Sequence, residues 1–185
     1  INSADELVLT ELIFENAFAD YDYSEIVALL SCFIFQEKLE EQPELIPKLE
    51  EGKKTIRDFA QKVYEVQKQC KLTDDAGDAN VVNDGVDLIF DDVVDVNKFN
   101  FGLVEIVYEW SRGKVYIDLT EVMGGSIVRC ITRLDETCRE VKEAAKIVGT
   151  LSLCKKMEEA QSSIKRDIIF AKSLVRSDKI LILKF

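Results

Sequence analysis

The feature that most constrains the fold is an apolar repeat in the last third of the chain. Apolar side chains recur there at alternating intervals of four and three residues over three heptads, at Ile127, Ile131, Leu134, Cys138, Val141, Ala145 and Val148. This spacing places them along one edge of an α-helix. Gly149 follows, and glycine commonly ends helices because it adopts a positive φ without steric cost. The repeat therefore predicts one long helix that packs against neighbours along its length.

Most of the remaining chain also has helical rather than alternating spacing. Only two prolines and eight glycines interrupt the 185 residues. Further apolar stripes predict helices within residues 3–18, 24–34, 56–70, 101–113 and 150–174. Ser3 and Glu6 have the spacing of a capping box at the start of the first of these helices. We therefore expect an all-α fold, a multi-helix bundle that forms one domain over residues 1–175.

Two segments depart from the helical pattern. Residues 73–95 contain eight aspartates and few helix-forming residues, which predicts a mobile acidic loop over about 73–97, with a short strand or turn at 88–90 as an option. The tail at 176–185, RSDKILILKF, has a short apolar run of a different kind. It is compatible with a strand, an interface segment or a non-native extension.

The composition excludes several classes of function. Because the chain has no histidine, triads with an imidazole base and zinc sites built on histidine are excluded. The five cysteines have no CxxC spacing, and the aspartate clusters lack the spacing of an EF-hand loop, so we expect neither a metal site nor a disulfide framework. No catalytic residues are predicted. No apolar run is long enough to span a membrane, and no secretory signal pattern is present, so we expect an intracellular chain.

The charge is unevenly distributed along the chain. The formal net charge of −11 argues against a chain that binds nucleic acid over its whole surface, because phosphate repels an acidic protein. Residues 129–172, however, carry ten basic and seven acidic residues, a net of +3, which leaves −14 for the remainder. The last third therefore presents a different electrostatic surface.

A charged stripe runs along the predicted long helix. Arg129, Arg133, Glu136 and Glu140 follow one another at steps of four, three and four, on the edge opposite the apolar repeat. Arginine can bind phosphate and stack on bases, and a carboxylate can accept hydrogen bonds from base amino groups. By itself the pattern favours a solvated face with intrahelical ion pairs. The glycine pair that ends at Gly125 predicts a turn and helix start, whose free amides are a second candidate contact for phosphate.

Three stretches of the chain resemble a known family. They are LTELIFENAF at 9–18, YEWSRG at 108–113 and the segment 124–174 that begins GGSIVRCITRLDETCREVK. Together they resemble the DSHCT domain of superkiller-type, exosome-associated DExH-box RNA helicases, in the same order and over nearly all of the first 174 residues. The resemblance implies the C-terminal helical domain of an ATP-dependent helicase that unwinds RNA from 3′ to 5′ and feeds it to the exosome.

The same resemblance implies partners and site residues. RNA, the helicase motor domains of the same polypeptide, superkiller complex subunits and the exosome are the implied partners; ATP and Mg belong to the motor domains, with no cofactor in this chain. The long helix corresponds to one that lines the RNA path in the family, which reverses the preference for a solvated face. We therefore expect RNA contacts from the stripe and the helix start, at Arg129, Arg133, Glu136, Glu140 and Gly125.

The resemblance also covers a pair of charged residues on the predicted last helix. Arg166 and Asp167 match an Arg-Asp pair of the family, and we expect a structural ion pair there rather than a basic wall along an RNA channel.

An alternative function for the chain is a structural or protein-docking module without RNA contact, whose acidic part binds basic partners. A DNA-binding helix-turn-helix is a third option, which the acidic surroundings disfavour.

Overall fold

The computed structural model describes residues 3–37, 44–74, 93–114 and 124–166, with the backbone alone at 3–4, 71–74 and 124–126. All regular elements within these ranges are helical, which confirms the all-α prediction. They are α1 (Ser3–Phe14), α2 (Tyr23–Leu30), a 3-10 turn (Ser31–Phe33), α3 (Pro47–Asp74), α4 (Val104–Ser111), α5 (Gly124–Val148) and α6 (Leu151–Ile164).

Helix α2 lies at the centre of the bundle. All residues from Ile26 to Leu30 are fully buried, because α2 packs against α3, α4, α5 and α6. Its start is fixed by a reciprocal capping box, in which the Glu25 amide donates to Asp22 Oδ1 and the Asp22 amide donates to Glu25 Oε2, both at 2.8 Å. The predicted helix over 24–34 was wrong at its end, because α2 stops at Leu30 and continues only as the 3-10 turn.

The long helix is present as predicted. Every residue of the apolar repeat from Ile127 to Ala145 is buried, and only Val148, at the end, is partly exposed. Gly149 has φ +89°, and the amides of Gly149 and Thr150 both donate to the carbonyl of Ala145. These bonds satisfy carbonyls at the C-terminus of α5 and let the chain reverse into α6, which packs along α5.

Three helix boundaries differ from the sequence prediction. Helix α1 ends at Phe14 rather than near residue 18, since Asn16 has a positive φ of 53° and turns the chain. Helix α3 begins nine residues earlier than predicted and continues through Asp74, two residues into the predicted acidic loop. Helix α6 ends at Ile164, so the prediction that Arg166 lies on the last helix was wrong.

Some predictions fall outside the described residues. Most of the acidic loop, including the strand or turn at 88–90, lies in residues 75–92. The predicted continuation of the last helix and the tail at 176–185 lie beyond residue 166. Among the helices that the structure describes, none is both long enough and apolar enough to cross a membrane.

Candidate nucleic-acid interface

The four charged residues of the stripe lie together on the solvent-exposed edge of α5. Arg129, Arg133, Glu136 and Glu140 are all exposed, while the opposite edge of the helix is buried. Gly125 lies four residues before Arg129, on the same edge, in the first turn of α5. Backbone amides of a first helical turn have no acceptor within the helix. The structure thus brings the predicted residues to one face, and RNA contact at this face stays a prediction.

The stripe forms one wall of a groove along α5. The first of two depressions, of about 180 Å³, is lined by Ile34, Phe35, Gln36, Glu37, Arg129, Cys130 and Arg133. The second, of about 320 Å³, is lined by Phe33, Ile34, Gln36, Arg133, Glu136, Thr137 and Glu140. Because Ile34, Gln36 and Arg133 line both depressions, the two lie next to each other along α5. We call them together the α5 groove.

Residues 33–37 form the other wall, which sequence reasoning did not predict. This wall is held by the connection that precedes α4: the ring of Phe33 packs edge-on against Phe99 with centroids 5.2 Å apart, and the Asn100 side-chain amide donates to the Glu37 carbonyl. Phe35 is buried, and its amide donates to the Ser31 carbonyl. One feature of the sequence could have indicated this wall. The aromatic and β-branched residues that follow Leu30 form helices less readily than the alanine and leucines at 28–30, which favours a helix end at this point.

The groove is positive at one end and negative at the other. Nη2 of Arg129 lies 3.2 Å from Glu37 Oε1, on the opposite wall. Within the described residues, no salt bridge links Arg133, Glu136 or Glu140 to a partner. The intrahelical ion pairs expected of an ordinary solvated face are therefore not formed among these residues.

Cys130 contributes an uncharged side chain to the groove. Burial raises the pKa of its thiol to about 12, and the nearby guanidinium of Arg133 offsets only part of that rise. A thiol with such a pKa remains protonated at neutral pH and is a poor nucleophile. Its position therefore fits a packing role beneath Arg133, not covalent chemistry.

Asp135 faces away from the groove and joins α5 to α6. Its Oδ1 accepts a hydrogen bond of 2.7 Å from Gln161 Nε2 and lies 2.9 Å from Lys165 Nζ, while its Oδ2 lies 3.5 Å from Arg139 Nη2. Burial raises the pKa of Asp135, but the hydrogen bonds from Lys165 and Gln161 outweigh burial, so the pKa lies below its usual value. These bonds add a polar attachment between α5 and α6 to the apolar contacts along the buried edge of α5. Sequence reasoning missed this network.

The ends of α4 and α6 satisfy each other's carbonyl groups. Trp110 is fully buried, and its indole Nε1 donates to the Ile164 carbonyl at 3.1 Å. The Arg166 guanidinium lies 3.8 Å from the centroid of the Trp110 ring and donates to the carbonyls of Trp110 and Lys114. Asp167 lies outside the described residues, so the predicted Arg166–Asp167 pair stays a prediction.

A further depression, of about 440 Å³, lies between α1 and α3. Leu7, Phe59, Val63 and Val66 provide its apolar lining, and Glu11, Glu15, Lys62 and Gln67 provide its polar lining. Leu7 and Val66 remain 48% and 58% exposed, although both belong to the apolar stripes that the sequence predicts as buried. The apolar stripes of these two helices are thus only partly covered by described residues. In the part of the chain that the structure describes, no group of three or more His, Cys, Asp or Glu residues could hold a metal ion.

Comparisons with known proteins identify the family. Residues 1–171 match the DSHCT (NUC185) domain. Over 94% of its length the chain is 43% identical to the DExH-box ATP-dependent RNA helicase DExH11 of Arabidopsis thaliana, 40% to the antiviral helicase SKI2 of Saccharomyces cerevisiae and 36% to the exosome RNA helicase MTR4 of Homo sapiens. It spans only 12%, 13% and 16% of the length of these three proteins. With a match that covers almost the whole chain and an all-α structure, the chain belongs to the DSHCT domain family.

Proposed function

We propose that this chain is the C-terminal helical domain of a cytoplasmic, ATP-dependent RNA helicase that unwinds RNA from 3′ to 5′ and passes it to the exosome. The names of the relatives support this proposal: one is an exosome RNA helicase, and another, 40% identical over 93% of the chain, is superkiller complex protein 2 of Homo sapiens. In this proposal ATP and Mg bind to motor domains elsewhere in the polypeptide. The contribution of the chain is to guide the RNA strand.

The observation that carries the proposal is the α5 groove. Its charged stripe runs from Arg129 to Glu140, eleven residues along α5, which corresponds to about 16 Å of helix. The side chains are exposed, they converge on one groove, and Arg133 forms no ion pair with a described residue. A guanidinium in such a position is available to bind a phosphate oxygen or to stack on a base.

The two ends of the groove suit different parts of a nucleotide. Arg129 and Arg133 match the negative charge of the phosphate backbone, whereas Glu136 and Glu140 can accept hydrogen bonds from the amino groups of bases. Gln36, which lines both depressions, has an amide that can donate and accept. A single strand offers both its backbone and its base edges to such a groove, whereas in an A-form duplex the base edges are largely occupied by pairing.

The test is substitution within the stripe in the full-length helicase. Arg133→Ala and Glu136→Ala are expected to lower the unwinding rate and the stimulation of ATP hydrolysis by RNA. Lys146→Ala is the matched control, because Lys146 is an exposed cation on the same helix that does not line the groove. If both stripe variants unwind and respond to RNA as the wild type does, the RNA-contact assignment is wrong.

The alternative of a protein-docking module has one specific observation in its favour. The lining of the depression between α1 and α3 is mainly apolar and includes Leu7 and Val66, both about half exposed. We assign this surface to packing on the helicase motor domains, which places both functions in one domain. Crosslinking in the intact complex distinguishes the two functions. Crosslinks between RNA and residues 126–148 support RNA contact, whereas crosslinks of this domain to protein alone support docking without RNA contact.

A further inference from the structure

Gln36 and Arg133 lie on opposite walls of the α5 groove. Gln36 belongs to the wall formed by residues 33–37 and Arg133 belongs to α5, and both line both depressions. Both side chains are exposed. A strand that follows the groove therefore passes between the Gln36 amide and the Arg133 guanidinium, so the position of Gln36 bears directly on the proposed RNA contact.

The wall that carries Gln36 has no regular structure of its own. The 3-10 turn ends at Phe33, and residues 34–37 belong to no helix or strand. Before Gln36, the buried Phe35 fixes the backbone, and its amide donates to the Ser31 carbonyl at 2.9 Å. The N-terminal side of Gln36 is thus anchored by packing and by a backbone hydrogen bond.

On the C-terminal side of Gln36 the anchor is the side chain of Asn100. Its amide donates to the Glu37 carbonyl, although the two residues are 63 positions apart in the sequence. Asn100 Oδ1 accepts a hydrogen bond of 3.0 Å from the Gly102 amide. Because an N–H group occupies this oxygen, the NH₂ group of Asn100 is the one that meets the Glu37 carbonyl. Asn100 therefore connects the wall to the turn that precedes α4.

The segment that carries Asn100 is itself fixed to the bundle. The Val94 amide donates to Gln67 Oε1 on α3 at 3.0 Å, and Lys98 Nζ lies 3.6 Å from Asp5 Oδ2 on α1. Asn100 lines neither depression of the α5 groove. It thus links the helix bundle to the irregular wall from behind.

We propose that Asn100 is a positioning residue for RNA binding, which holds Gln36 in place through the Glu37 backbone. This inference rests on the proposed RNA contact of the groove. A segment without such an anchor has to be ordered when a ligand binds, and the conformational entropy lost in that step lowers the affinity. Because the Asn100 bond orders the wall when the chain folds, RNA meets a preformed groove.

Asn100→Asp tests this role because it removes the donor and keeps the shape of the side chain. A carboxylate still accepts from the Gly102 amide, but it presents a second oxygen to the Glu37 carbonyl. The affinity of the full-length helicase for a fluorescein-labelled ten-nucleotide polyuridylate is measured by fluorescence anisotropy without ATP. Relative to its control, the variant is expected to bind about 2- to 10-fold more weakly, the range that corresponds to one hydrogen bond.

The matched control is Asn97→Asp. Asn97 is exposed on the same segment and lines neither depression, so this variant adds the same charge and leaves the wall intact. Circular dichroism checks that each variant is folded. If Asn100→Asp does not fold, Asn100→Ser replaces it, since a serine hydroxyl can still accept from the Gly102 amide, and Asn97→Ser becomes the control.

A second substitution distinguishes positioning from a purely structural role. Gln36→Ala alone is expected to weaken RNA binding. In a helicase that already carries Gln36→Ala, Asn100→Asp is expected to weaken binding no more than Asn97→Asp does, because the side chain that Asn100 positions is absent. A purely structural role for Asn100 would lower the urea midpoint and leave the RNA affinity of the folded protein equal to that of the control.

The outcomes separate this inference from the proposed function. Asn100 is not a positioning residue if Asn100→Asp binds RNA as tightly as Asn97→Asp, if Gln36→Ala leaves the affinity unchanged, or if the loss is the same with and without Gln36→Ala. Should Arg133→Ala weaken binding in that case, the proposed RNA contact stands without this inference. If neither Arg133→Ala nor Gln36→Ala weakens binding, the groove does not bind RNA and both proposals are wrong.

Discussion

Arg133 and Asp135 lie two residues apart on α5 and have opposite environments. Arg133 is exposed in the α5 groove, whereas Asp135 is buried against α6 and receives hydrogen bonds from Gln161 and Lys165. A buried carboxylate is stable only when such bonds compensate for its lost hydration. Asp135 therefore contributes to the packing of α5 on α6, while Arg133 stays accessible in the groove.

Asp135→Asn is expected to reduce stability at neutral pH and to have a smaller effect in acid. Its pKa in the folded chain is lowered from the ordinary 3.8, so its ionised form contributes stability above that value, and the contribution is lost as the pH falls through the lower folded value. At pH 7 we expect a loss of about 1.5–3 kcal/mol, typical of a hydrogen bond to a charged group. Urea unfolding at pH 7 and pH 3 measures the difference.

Glu136→Gln is the control for this substitution, because Glu136 is exposed and has no salt bridge or side-chain hydrogen bond to another described residue. It is expected to change the free energy of unfolding little at either pH. An equal loss for Asp135→Asn at both pH values would show that the charge of Asp135 is not the source of its contribution.

At the scale of elements, two glycines are required for different physical reasons. Gly52, within α3, lies against α2, where an added Cβ would be 2.4 Å from Cδ1 of the fully buried Leu29. Gly149, between α5 and α6, has open space around it but a φ of +89°. The first position is limited by packing between helices, and the second by backbone conformation.

Alanine and asparagine are therefore expected to rank in opposite order at the two positions. At Gly52, alanine costs about 1–3 kcal/mol through overpacking, despite its better helix propensity, and the larger asparagine costs more. At Gly149, alanine costs about 1–2 kcal/mol, and asparagine costs less because it tolerates a positive φ. Chemical unfolding of the four single variants measures this ranking, and the same order at both sites would contradict it.

The sequence predicts those elements whose determinants are local and repeated. The seven-residue repeat is sufficient to identify α5, its buried edge and its end at Gly149, because periodicity and a helix stop are properties of adjacent residues. The second wall of the groove depends on contacts of Phe33 with Phe99 and of Glu37 with Asn100, more than sixty residues apart. No local pattern encodes such pairings, so only half of the α5 groove could be predicted.

The end of α6 at Ile164 also depends on contacts between residues that are distant in the sequence. Apolar spacing favoured a helix that continues beyond Ile164. In the structure the Trp110 indole binds the Ile164 carbonyl, and Arg166 turns back to the last carbonyls of α4. The tertiary contact between two helix ends thus overrides the local helical preference.

At the scale of the whole molecule, charge and apolar surface are separated. Residues 129–172 carry a net +3 and the remainder −14, but the charged residues that line the α5 groove are two arginines and three glutamates, so electrostatics favours phosphate only at its arginine end. The exposed apolar side chains of α1 and α3 form a separate depression with acidic residues on the α1 side. We therefore expect the loss of RNA contact and the loss of docking to be separable by substitution.

The double variant Leu7→Ser, Val66→Ser tests the docking surface. Both side chains are about half exposed, so their replacement is expected to change the stability of the isolated chain by less than the cost of a core truncation. If they pack on the motor domains, the double variant should bind a separately produced motor region at least about 5-fold more weakly, as expected for loss of more than about 1 kcal/mol at an interface. Isothermal titration calorimetry measures the affinity directly.

Ile147→Ser is the matched control for docking, because Ile147 is an exposed apolar residue, 88% accessible, on α5 and does not line the depression. It is expected to leave the affinity for the motor region unchanged. If Ile147→Ser binds the motor region more weakly and the double variant binds it normally, the docking surface lies at the C-terminal end of α5 and not between α1 and α3. Since Leu7 and Val66 do not line the α5 groove, the double variant should also bind single-stranded RNA as the wild type does, which keeps docking and RNA contact experimentally distinct.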